Sequence, residues 1–319
     1  MKPKEGRMKE LLRERGLDGA IVSSPENFHY VTGFGGHQHT VSRQPGFTLA
    51  VMRSDDKAPT HITTMDFEAA TFRIKSAGLG FVVDPYDTWV GLKTWPEISQ
   101  GAALPDKARM ESSADKLEQF VKACDLADKR IGVEMDYLTV PYYNMIREKF
   151  PEARLVDISD LFVYARSIKT EEEIKMFREL CRIADHGFTQ VSRMAGIGVS
   201  EKEMSDCFRE DVIRSGFCVP SVWSMFSTGP SGARLTLPED GIVKDGDVVK
   251  FDAGVNAEFD FYTTDTSRAW IIGNGDPALM KLKDRLYEGQ RRMIAAARPG
   301  LPMNELYHAC LLYTSPSPR

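Results

Sequence analysis

Asp252 and Asp265 are the residues whose types and spacing most directly suggest chemistry. They lie in DVVKFDAGVNAEFDFYTTDTSRAWIIG, residues 247–273, on what reads as two arms of a β-hairpin. Val248, Val249, Phe251, Trp270 and Ile271 supply the β-branched and aromatic content that strands favour. If 252 faces 265, the turn centres between Glu258 and Phe259, and both carboxylates are directly opposed on one face. Directly opposed Cβ atoms lie about 4.5–5.5 Å apart, close enough for two carboxylates to share metal ions roughly 3.5–4 Å apart. Like charges held that close need a metal, a proton or a basic neighbour. Arg268 is one such neighbour and could neutralise a carboxylate with no metal at all.

Other residues compete for a role. His37-Gln-His39 sits in a glycine-rich segment and, without a third ligand, reads as a solvated or partner-contacting turn. His29 and His61 stand among apolar residues and read as satisfied core or strand-end histidines, and His186 reads as helical. Gly33-Phe-Gly35-Gly36 and Gly196-Ile-Gly198 complete no phosphate-loop pattern and read as turns. Trp223, Met225 and Phe226 line either a cleft or the core, and Tyr262 is a candidate substrate contact.

The elements that must position these residues fall into two series. Residues 5–16 form an amphipathic helix ended by Gly16, followed by a strand at 18–24 and a helix opening at Pro25. Further strands are expected at 47–53, 60–65, 80–84, 130–135 and 153–158. Helices fall at about 66–76, from Ser112 or Ser113 to about 127, and from Thr139 to Phe150. Such repeated β-α units imply an α/β domain with a largely buried sheet. Beyond residue 160 the pattern changes. Thr170-x-x-Glu173 and Ser200-x-x-Glu203 are capping boxes opening long helices, and Asp276-Pro277 opens another to about Ala297. Between them lie turn-rich links and antiparallel-looking strands, which read as α+β.

Bulk properties set limits. The chain has 319 residues, enough for two domains, and its net charge of -5 offers no electrostatic case for nucleic-acid binding. No apolar run approaches the roughly 18 residues of a membrane span, and the charged N-terminus lacks a signal-peptide core. Five scattered cysteines without a C-x-x-C read as reduced thiols of a cytoplasmic protein. The closing LLYTSPSPR carries no fold signal, so residues 311–319 are expected to be a non-native tail on a chain truncated near 310, with a genuine disordered tail as the alternative.

Four pieces in order carry a family resemblance: RERGLDGAIVSSPENFHYVTGF, ARSIKTEEEIKMFRELCRIAD, FSTGPSGARLTLPEDGIVKDGDVVKFDAG and YTTDTSRAW. Together they resemble the creatinase/aminopeptidase P/prolidase group of pita-bread metallohydrolases. The resemblance implies an α/β N-terminal domain over residues 1–162 and an incomplete α+β pita-bread domain over 163–310. It implies that Asp252 and Asp265 are the first two metal-binding carboxylates of a dinuclear centre that hydrolyses the peptide bond before proline. Manganese suits the oxygen-rich ligand set best, with cobalt, iron or zinc as alternatives, and a homodimer is the family habit.

This sequence departs from the family pattern in three ways. The interval between the aspartates is two residues longer, an even insertion that preserves facing. The substrate-contacting histidine is replaced by Thr236, or by Leu235 or Leu237, depending on alignment. One His and two Glu ligands, and the general acid/base, fall beyond the end of this chain. Two of the expected ligands are too few for a dinuclear centre, so this fragment is expected to hold no metal pair and to be inactive. The alternatives are a creatinase-like or lyase enzyme acting on a small non-peptide substrate, and a metal-free peptide-binding module.

Overall fold

The computed structural model describes residues 2–88, 95–101 and 111–314. The chain divides into two compact units: residues 1–175 with 259–261, and residues 176–258 with 262–319. The boundary expected after residue 162 falls inside helix Ser159–Ser167, whose Leu161, Phe162 and Ala165 are buried in the first unit's core.

The first unit is built on a six-stranded mixed sheet. Its strands are β1 (Gly19–Val22), β2 (Leu49–Arg53), β3 (His61–Thr63), β4 (Val82–Val83), β5 (Arg130–Val133) and β6 (Arg154–Asp157), in the order β4-β3-β2-β1-β5-β6. β2 runs antiparallel to β1 and β3, and the other neighbours are parallel. Alternate residues enter different cores. Ala20, Val22, Ala50 and Met52 pack with Met8, Leu12, Phe28 and Phe72, whereas Ile21, Leu49 and Val51 pack with Leu117, Phe120 and Ile146. A sheet covered on both faces has apolar residues at consecutive positions, as the short strand signals anticipate.

Local chemistry sets the helix starts. Ser24 caps helix Pro25–Thr32, with Pro25 at its first turn and Gly33 closing it at φ 79°. Ser112 and Asp115 form a reciprocal box before helix Ser113–Ala123, as do Ser200 and Glu203 before helix Glu201–Arg214. Thr170 and Glu173 make the same exchange before helix Glu171–Met194.

In the second unit, β8 (Met225–Thr228), β9 (Val248–Ala253) and β11 (Thr266–Ile271) form an antiparallel sheet in the order β11-β9-β8. β7 (Cys218–Pro220) pairs with β10 (Val255–Ala257). The helical residues Leu180, Ala184, Phe188, Met204, Phe208 and Val212 pack with Phe226, Val249, Phe251 and Ala253 in one core. The apolar positions on each helix recur every three or four residues, so each helix turns one stripe toward the sheet. Phe251 is central, its ring centroid 4.5 Å from Trp270, 5.0 Å from Phe226 and 6.2 Å from Phe188.

Helix Met303–Thr314 runs four residues into the segment read as lacking a fold signal. Leu311-Leu312-Tyr313-Thr314 contains no helix breaker, so a helix already started at Met303 propagates through it. Residues 315–319 lie outside the described residues.

Candidate functional site

The β9–β11 ladder determines where the carboxylates stand. Asp252 is directly opposite Ser267 on one side and Met225 on the other. The same register continues beyond the strand ends through the Thr264 amide bonded to the Val255 carbonyl at 2.9 Å, the Asn256–Thr263 bridge, and the Ala257 amide bonded to the Tyr262 carbonyl at 2.9 Å. The turn therefore centres between Phe259 and Asp260, one residue later than the sequence suggested. Phe261 closes it in the left-handed region at φ 59°.

Asp252 and Asp265 are consequently not directly opposed. Asp265 is two residues from Ser267, so the pair shares a face but stands on the ladder's diagonal, where Cα separations are about 7–8 Å and Cβ atoms are closer. The even insertion keeps the facing, and the turn sets the offset.

Val249, Phe251 and Ala253 are buried in the core, while Val248, Lys250 and Asp252 occupy the other, half-covered face of β9. Lys250 is opposite the buried Ser227 and donates to the Arg234 carbonyl at 3.2 Å. The Asp252 carboxyl is held above its ordinary pKa by burial first and by the Asp265 charge second, against the pull of Lys250.

Arg268 does not serve the pair. It lies opposite Phe251, bonds the Asp185 carboxylate at 2.8 Å and lies over the Phe188 ring. Alternation puts it on the other face from Asp252. Tyr262 is three positions from Asp265 and likewise falls on the opposite face. Its ring meets Phe177 edge-on at 5.4 Å and packs against the core.

Gly254 separates β9 from β10 at the point opposite Asp265. A Cβ there would lie 2.0 Å from the Thr264 carbonyl oxygen and 2.9 Å from the Trp223 ring. The glycine of Asp252-Ala-Gly254 is thus required by close backbone approach.

Sequence reasoning missed Glu201. Fully buried, it accepts from the amides of Thr228 at 2.9 Å and Glu239 at 2.7 Å and from the Ser231 hydroxyl, tying down the 228–239 loop. Its position just inside the Ser200 cap made it look like an ordinary first-turn acid. On that loop Leu235 and Leu237 are exposed, and Thr236 donates to Glu239 at 3.0 Å.

The histidines divide. His29 is buried and bonds Asp260 at 3.0 Å, and His61 lies against Phe120. His186 is helical and bonds Asp211 at 2.8 Å. The solvated-turn reading fails for His39. It lies in helix His37–Ser42, 1% exposed, with Nε2 bonded to the Ser23 carbonyl at 2.7 Å, and burial lowers its pKa to about 4.

Among the described residues, no group of three or more His, Cys, Asp or Glu could hold a metal ion. The two carboxylates supply acceptor oxygens and like charge that a divalent cation would relieve. They fit one edge of a metal site and do not close one.

Two family models match the chain: the Creatinase/Prolidase N-terminal domain over residues 6–168, and Metallopeptidase family M24 over residues 175–316. An uncharacterized peptidase of Bacillus subtilis is 27% identical over 304 residues, covering 94% of this chain and 73% of that protein. An Xaa-Pro dipeptidase of Lactobacillus delbrueckii is 23% identical over 303 residues, with 94% and 74% covered. Among solved structures, an Xaa-Pro dipeptidase from Bacillus anthracis aligns with a TM-score of 0.76 at 21% identity over 96% of this chain and 75% of that one. A dipeptidase from Pyrococcus horikoshii aligns with a TM-score of 0.76 at 20% identity, over 97% and 76%. The likeness is to the pita-bread fold.

Proposed function

Because the chain belongs to the creatinase/prolidase family of metallopeptidases, we propose that Asp252 and Asp265 are the carboxylate edge of a metal site that serves hydrolysis of the peptide bond before proline. The observation that carries this reading is the pair's placement on one sheet face, with each charge within reach of the other. Relatives called Xaa-Pro dipeptidases support the substrate class.

The site would take two divalent ions, manganese by preference on the hardness of its oxygen donors, with cobalt, iron or zinc as alternatives. Such ions polarise a carbonyl and lower the pKa of bound water. This chain's own part is to present two carboxylates at a fixed offset, with Gly254 allowing the backbone to close behind them. The remaining donors and a proton-transferring glutamate would come from polypeptide beyond this sequence, in line with relatives of which the chain spans 70–74%. On that reading these 319 residues do not turn over substrate, and the longer protein is a cytoplasmic homodimer. Titration calorimetry with Mn²⁺ tests it. One weak site lost in both Asp252→Asn and Asp265→Asn is expected, and two tight sites on this chain would overturn the half-site reading.

A second reading, a small non-peptide substrate, is favoured by one observation. No histidine occurs between residues 187 and 307, and Thr236 stands where the family's substrate-contacting histidine is expected. Cleavage of Xaa-Pro dipeptides by the longer reading frame would exclude it. Peptide binding without turnover by that frame would instead make the fold a binding module.

A further inference from the structure

We infer that the first unit contains a built carboxylate-binding seat at the switch point of its sheet, suited to a small monocarboxylate and filled from within by Glu134. The strand order reverses between β1 and β5. From β1 the chain moves outward through β2, β3 and β4, whereas β5 and β6 lie on its other side. β1 and β5 are parallel neighbours, and the carboxyl ends of such a pair are where doubly wound sheets receive ligands.

Ser23 and Ser24 follow the end of β1, Glu134 follows the end of β5, and helix Pro25–Thr32 begins at the same point. Glu134 is 0% exposed. Its Oε2 accepts from the Ser23 amide at 2.5 Å and the Ser24 amide at 3.0 Å. Its Oε1 accepts from the Ser24 hydroxyl at 2.5 Å and the Asn27 side-chain amide at 2.6 Å. Arg166 fixes Asn27 by donating to its Oδ1 at 2.7 Å, and His39 fixes Ser23 through its carbonyl.

All four groups facing Glu134 are donors, so the seat matches a group that only accepts. They contact only its two oxygens and therefore read the headgroup rather than the carbon chain. A second observation marks the place as ligand-like. Among the described residues, the Ser23 hydroxyl, on a residue 0% exposed, has no hydrogen-bond partner, and neither does the buried hydroxyl of Tyr137. Burial works against a charge here while the donors work for it. An ordinary core glutamate and an occupied seat are told apart by cutting the tether.

Glu134→Ala removes the heavy atoms of one acetate, and Glu134→Gly removes one carbon more, matching propionate. The whole chain is melted in chloride, formate, acetate and propionate at equal ionic strength, with the wild type as the control for general salt effects. Acetate is expected to raise the Tm of Glu134→Ala by roughly 5 °C at 100 mM relative to chloride, by the linkage of binding to stability. Propionate should act best on Glu134→Gly, and the wild type should not respond. If Glu134→Ala folds only when acetate is present, the inference also stands. Equal melting in chloride and carboxylates, a wild type that responds as the variants do, or variants unfolded in every salt would overturn it.

Discussion

Asp252 and Asp265 share one face of the β9–β11 ladder but stand on its diagonal, because Asp252 is opposite Ser267. The offset separates two like charges that direct opposition would crowd, and the Asp252 carboxyl still has a raised pKa, from burial first and from the Asp265 charge second. Asp252→Asn should therefore stabilise the metal-free chain slightly, by roughly 0.2–0.5 kcal/mol, since the site is partly solvent-screened. Urea unfolding with metal chelated checks this, and a clear loss of stability would contradict it.

Gly254→Ala should be costly. Its new Cβ would meet a backbone carbonyl at 2.0 Å, which no side-chain rotation relieves. A loss of about 1–3 kcal/mol or more is expected from overpacking. A chemical-denaturation midpoint unchanged from wild type would show that the strand can shift.

Glu201→Ala leaves the Glu239 amide without its acceptor, while the Thr228 amide and the Ser231 hydroxyl keep only each other's residue, through Ser231 Oγ at 3.0 Å and the Thr228 carbonyl at 2.8 Å. The expected cost is about 1–3 kcal/mol for each buried donor left unsatisfied, less where water enters. Trypsin should then cut faster after Arg234, on the released loop. Unaltered cleavage there would mean that Glu201 does not hold it.

Acid should destabilise the first unit through His39. Its folded pKa of about 4 lies below the ordinary histidine value of 6.5, so the unfolded chain takes up the proton first as pH falls. The contribution is intact above about pH 6.5 and is lost progressively down to about pH 4, with a slope of up to ~1.4 kcal/mol per pH unit. His39→Gln should flatten that part of the stability profile measured by urea unfolding. An identical slope in the variant would assign the acid sensitivity elsewhere.

Much of the fold was legible because its signals are local. The Ser112, Thr170 and Ser200 boxes set helix starts within three residues of chain, and Pro25 and Gly33 bracket a helix by their own backbone preferences. His39 was misread because a glycine-rich neighbourhood resembles a loop, whereas its burial depends on Phe28, whose ring packs edge-on against it. Glu201 was missed for a related reason, since its partners lie between 27 and 38 residues away.

By itself, the sequence determined the family, the two-part architecture and the common face of Asp252 and Asp265. These follow from motif order, residue periodicity and the parity of a strand, all carried along the chain. Tertiary structure decided the diagonal offset, the commitment of Arg268 to Asp185, the packing of Tyr262 on Phe177, and the filling of the first unit's switch point by Glu134. Each depends on how a turn closes or on which distant group reaches a side chain first, and hydrogen-bond geometry in three dimensions settles that competition.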